Sequence, residues 1–132
     1  MDQGKPRSAG SKPRSAPADG PLATKAALRA AARLGLSNRT FSRIVGLSEA
    51  SVSRMNSGTF VLTPGDKAFD LALMFVRLFR SLDAMVGGDE TVARAWLVNV
   101  NAALDGRPVE KIQTVAGLID AIAYLDARRA IL

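Results

Sequence analysis

Six side chains between residues 38 and 56 have the chemistry to grip or read a nucleic acid: Asn38, Arg39, Ser51, Ser53, Arg54 and Asn56. They offer amides, hydroxyls and guanidinium groups, which bond phosphate oxygens and the edges of base pairs. Ser51 and Arg54 stand three apart, so on a helix they project from one face. Arg54 suits a guanine, whereas Asn38 and Arg39 open the preceding helix, where side chains meet phosphate. Other chemistry is poorly supplied. The chain has no His and no Cys, which removes the commonest general base, the thiolate nucleophile, disulfides and the usual zinc ligands. No catalytic residue, no metal site and no cofactor is expected, and an enzyme is disfavoured.

These side chains need two helices set at a fixed angle. The stretch from Asn38 to Gly58 reads as two short helices joined by a tight turn at Gly46-Leu47-Ser48. Phe41, Val45, Leu47, Val52 and Met55 supply apolar contacts, and Ser42 is small where the helices approach. Ser48 is placed to cap the second helix, and Glu49 sits in its first turn, where negative charge suits the helix dipole. This is the pattern of a helix-turn-helix whose second helix lies in the major groove. The plainer alternative is a helical hairpin of any small all-α domain.

Charge is distributed to match. The net +6 divides as +2 over residues 1–20, +5 over residues 21–58 and −1 over residues 59–132. The excess sits with the helix pair, where a phosphate backbone would be met, so double-stranded DNA is the expected partner. No apolar h-region opens the sequence, and no apolar run approaches the roughly 20 residues of a bilayer span. A soluble, cytoplasmic protein without membrane contact is expected.

Residues 1–20 are Pro, Gly, Ser, Ala and charge, and Lys5-Pro6-Arg7-Ser8-Ala9 returns as Lys12-Pro13-Arg14-Ser15-Ala16. They read as a disordered basic tail, either a phosphate-tracking arm or a solvated leader. Residues 21–62 read as the DNA-binding domain. Its opening helix runs from Pro21 to about Leu34, with Leu22, Ala26, Leu28/Arg29 and Ala32 drawing a helical stripe. Residues 63–132 read as a second helical domain. Thr63-Pro64-Gly65-Asp66 predicts the start of a helix reaching about Val86. That helix is apolar around most of its circumference, which predicts a homodimer packed along it. Asp89 caps a helix to about Val98, Asn101 to Gly106 is a loop, and Pro108 to Ile112 is a short helix. Thr114 caps the last, from Val115 to about Arg128, with Leu118, Ile119, Ile122 and Leu125 inward. The fold class is all-α.

Two segments resemble a known family. Ser53-Arg54-Met55-Asn56-Ser57-Gly58 is similar to the S-R-x-x-x-G close of phage-repressor (Xre-type) recognition helices. Further on, Trp96-Leu97 precedes Asn101-x-x-Leu104-x-Gly106-Arg107-Pro108. Then come Ile112-x-Thr114-x-x-Gly117 and Leu125. Together they resemble the carboxyl domain of the Xre/MbcA/ParS antitoxins, partners of RES-domain toxins that act on NAD. The resemblance spans residues 22–126. It implies an antitoxin that occludes a toxin's active site, binds its own operator as a dimer within a larger complex, and represses its operon. It also implies toxin contacts at Arg107, Leu125, Arg128, Arg129, Ile131 and Leu132. Read from the residues alone, Arg107 caps a carbonyl or contacts a partner, and Arg128 and Arg129 are a solvated helix end. The alternative function is a stand-alone dimeric repressor whose carboxyl half only dimerises. Two departures stand out: family members often close on a Gly-rich or aromatic segment, absent here, and the recognition helix offers Glu49, Ala50 and Ser51 rather than Gln or Asn.

Overall fold

A computed structural model describes residues 19–131, with side chains as far as Arg129. The expected disordered tail therefore lies outside the described residues, except Asp19 and Gly20, which cap and open the first helix. There are seven α-helices and no strand among the described residues: α1 (Gly20–Arg33), α2 (Asn38–Val45), α3 (Glu49–Asn56), α4 (Lys67–Met85), α5 (Glu90–Val98), α6 (Pro108–Lys111) and α7 (Val115–Ile131). None is long and apolar enough to cross a membrane.

Asp19 caps α1 by accepting from the Leu22 amide at 2.8 Å. The face that α1 buries is not the predicted one. Ala23, Ala27, Ala30 and Ala31 turn inward, while Leu22 is 56% exposed. Small side chains let α1 lie close to α4, and that proximity outweighs the greater hydrophobicity of leucine. Thr24 locks the arrangement: its hydroxyl donates to the Gly20 carbonyl at 2.7 Å and accepts from the Leu62 amide at 2.9 Å. The connector before α4 is thereby tied down without becoming a strand.

Thr63 to Asp66 is a turn rather than a helix start. The Asp66 amide donates to the Thr63 carbonyl at 3.0 Å, with Pro64 second and Gly65 third at φ +98°. Those are the requirements of a type II turn. The helix accordingly begins three residues later than predicted, at Lys67.

Helix α4 is the axis of the molecule. It packs on α1 and α2 from the amino half and on α7 from the carboxyl half. Phe75 meets Phe41 of α2 edge-to-face at 5.5 Å, and Leu78 and Leu82 are fully buried. The chain itself thus covers most of the apolar circumference that predicts a dimer along this helix. That reason for a dimer falls away. In the carboxyl half Leu97, Leu104, Ile112, Leu118, Ala121, Ile122 and Leu125 join the same core. Ile119, predicted inward, is 50% exposed, because α7 turns the 118/121/122/125 face to α4 and leaves residue 119 on the flank.

Candidate nucleic-acid interface and carboxyl-terminal surface

Gly46 makes the turn between α2 and α3. At φ +73° it occupies the left-handed region, which a residue with a Cβ adopts only at a cost. Ser42 is buried where the two helices meet, and its hydroxyl donates to the Arg39 carbonyl at 2.7 Å. Val52 and Met55 of α3 are buried, and the other side of the helix is left for solvent.

That outer side carries the predicted residues, and the structure sorts them into two kinds. The cap and the residues expected to read bases are one unit. Ser48 accepts from the Ser51 amide at 3.0 Å, and its hydroxyl donates to Ser51 Oγ at 3.1 Å. Arg54 donates to the same oxygen at 3.2 Å. With both acceptor positions of Ser51 taken, its own O–H is left to donate outward, beside a guanidinium held in place. Asn38 and Asn56 do something else. Asn56 Nδ2 donates to Asn38 Oδ1 at 3.2 Å and to the Val52 carbonyl at 3.2 Å. This bond ties the end of α3 to the start of α2, so the pair holds the angle between the helices. Arg39 and Ser53 are exposed on the same unit.

The basic surface excludes one of its six cations. Arg33 donates from Nε to Glu90 Oε2 at 2.7 Å and lies over the Phe79 ring at 5.4 Å. Its carboxylate partner raises its pKa above the usual guanidinium value. Beside it, Arg94 donates to the Arg33 and Ala32 carbonyls at 3.0 and 3.3 Å, completing the end of α1. These bonds clasp the amino half to α5. Neither the clasp nor the Ser48–Ser51–Arg54 chain is signalled by the sequence.

In the carboxyl half the motif residues are architectural. Asn101 accepts from the Leu104 amide at 3.1 Å, and its own amide donates to the Gly106 carbonyl at 2.8 Å. Pro108 is fully buried at the start of α6. Thr114 caps α7 by accepting from the Gly117 amide at 3.0 Å. Gly117 must be glycine for a different reason: a Cβ there would stand 1.8 Å from the Lys111 carbonyl oxygen.

The six predicted partner contacts separate. Arg107 is exposed, with Glu110 Oε2 3.9 Å away. Leu125 is fully buried and belongs to the core, so it is not a surface contact. Arg128 lies over the Tyr124 ring at 5.5 Å. Arg129 donates to the buried Ser81 hydroxyl at 3.1 Å. Helix α7 continues to Ile131 rather than stopping near Arg128. The Ile131 side chain and all of Leu132 lie outside the described residues.

Arg129 belongs to a cluster that the sequence does not suggest. Ser81 of α4 donates to Asp126 Oδ1 at 2.8 Å, and Arg77 donates to Oδ2. The Ser81 hydroxyl, with Arg77 and Arg129, holds the Asp126 carboxyl below the usual carboxylate range. A carboxyl depressed on folding stabilises the fold above its unfolded pKa, and loses that contribution as pH falls through the folded value. The chain is expected to lose stability below about pH 4, the usual range of an aspartate. In Asp126→Asn that part of the acid dependence should shrink in melts run from pH 6 to pH 3. An unchanged dependence would remove Asp126 as its source.

Comparison with known proteins adds two findings. Residues 13–77 match the family model of an antitoxin Xre-like helix-turn-helix domain. Residues 81–130 match that of an antitoxin Xre/MbcA/ParS C-terminal toxin-binding domain. The two matches meet inside α4, the helix that both halves share. No curated protein matches the chain.

Proposed function

This chain belongs to the Xre/MbcA/ParS-type antitoxins, and we propose that it neutralises a RES-domain, NAD-targeting toxin by covering the toxin's active site. It carries no catalysis of its own. As a cytoplasmic dimer it binds its operator and represses its own operon. The observation that carries this reading is the tandem of a helix-turn-helix and a toxin-binding unit on one continuous core. Support for a dimer comes from the amino half: exposed Val61 borders a groove of about 470 Å³ lined by Leu28, Met55 and Phe60. A dimer would present two recognition helices to a palindromic site about one DNA turn apart. The division into residues 21–62 for DNA and 63–132 for the toxin follows the same reading, with α4 shared and the dimer seam moved from the carboxyl to the amino unit.

The toxin contacts are Arg107 and the last turn of α7 with the residues after it: Arg128, Arg129, Ile131 and Leu132. Positive charge suits a pocket whose polar walls otherwise meet a dinucleotide. The test is co-expression with a RES-domain toxin. The full chain should restore growth and NAD levels, whereas a chain lacking residues 127–132 should not, even though it still shifts operator DNA. Equal rescue by the truncated chain would place inhibition elsewhere. No rescue by the full chain would leave a stand-alone repressor.

A further inference from the structure

The carboxyl half leaves one aromatic surface half-open. Trp96 of α5 and Tyr124 of α7 stack with ring centroids 6.2 Å apart and planes 24° apart, and both are only half-buried. Val92, one turn before Trp96 on the same face of α5, is 48% exposed. Arg128, one turn after Tyr124, lays its guanidinium over the Tyr124 ring. Helix α5 is anchored instead by Ala93 and Leu97, which are buried. Trp96 and Tyr124 pack against the core on their inner sides, and the strip Val92–Trp96–Tyr124–Arg128 presents their outer sides across two helices.

We propose that this strip is a second part of the surface on which the toxin docks, sharing only Arg128 with the terminal residues that enter its pocket. The inference rests on the antitoxin reading above. Tryptophan, tyrosine and arginine are the residue types that dominate interface hot spots, and a central cluster of them carries most of the binding energy. Here the stack and the cation over it fix the side chains before any partner arrives, so little conformational freedom is lost on docking. The strip lies wholly within the segment that matches the toxin-binding domain. It is also continuous with the last turn of α7. Its complement is an apolar depression with a carboxylate at the edge that meets Arg128. Helix α3 packs on α1 and α2, whereas the strip lies on α5 and α7, so the two surfaces use different helices.

The test uses the full chain, a co-expressed RES-domain toxin and labelled operator DNA. Val92→Asp and Arg128→Glu change exposed side chains and should weaken toxin binding about 30-fold or more each, a hot-spot effect. Melting temperature and operator affinity should stay unchanged. Trp96→Phe, which keeps a ring in the stack, should retain more binding than Trp96→Ala. Val115→Asp, at the far end of α7, should bind toxin like the parent. Toxin affinity within threefold of the parent in Val92→Asp would overturn the proposal, since Arg128 also belongs to the terminal contacts. So would conversion of a dimer to a monomer with toxin binding intact, which would give the strip to a second copy. If the unsubstituted chain fails to bind the toxin, the antitoxin reading fails first and takes this surface with it.

Discussion

Gly117→Ala is expected to destabilise the protein by about 3 kcal/mol or more, at the upper end of what overpacking costs. The added methyl would sit 1.8 Å from the Lys111 carbonyl oxygen and 2.6 Å from its carbon, both backbone atoms that no rotamer change can clear. Either α6 shifts or α7 does, and α7 carries Leu118, Ala121, Ile122 and Leu125 into the core. Small domains have only about 5–15 kcal/mol in hand, so the loss should be plain in a urea titration. Gly20 provides a counterpart in the other half: a Cβ there meets the Leu62 carbonyl oxygen at 2.1 Å. Since both halves share α4, either substitution should lower one common transition. A midpoint within a few tenths of a molar of the parent for Gly117→Ala would show that the α6–α7 corner relaxes freely.

Much of this fold is legible in the sequence because short-range rules decide it. Ser48, Asp89 and Thr114 cap the helices the sequence assigns them, since a cap needs only one side chain and a backbone amide three residues on. The two motifs and their order also survive. Sequence reasoning fails wherever a group far along the chain has the deciding role. Hydrophobicity favours the leucines of α1, but closeness to α4 favours the alanine face. The family resemblance offers Leu125 as a partner contact, whereas the helical period turns it inward, and the structure buries it. Arg33 adds to the DNA-facing charge in sequence, but Glu90, 57 residues away, claims it. Asp126 gives no local signal either, because its meaning depends on Ser81 and Arg77 of another helix. The candidate site is likewise half legible. Residue types on α3 give the expected reading face, but only the bond between Asn38 and Asn56 marks those two as holding the helices together.

That separation makes the DNA prediction sharper. Arg54→Ala should cost about 1–3 kcal/mol per half-site if the guanidinium reads a guanine, and roughly twice that for a dimer on a palindromic operator. The loss should fall on the specific site and leave non-specific DNA binding largely as before, with specificity relaxed at one position in each half. Ser51→Ala should show part of the same effect, because it frees the guanidinium that Ser51 Oγ holds at 3.2 Å. Arg39→Ala should behave otherwise: removing a cation from a phosphate weakens binding to all sequences alike and lowers the salt slope by about one per phosphate no longer neutralised. Asn56→Ala, which breaks the bond to Asn38, should reduce affinity and also lower the melting temperature, a signature that Arg54→Ala lacks. Gel-shift titrations at two salt concentrations, with circular dichroism to check the fold, resolve all four. Parent-like operator affinity in Arg54→Ala with the helices intact would take Arg54 out of the reading face. The specificity of α3 would then have to come from Ser51 and Ser53, the two hydroxyls beside it.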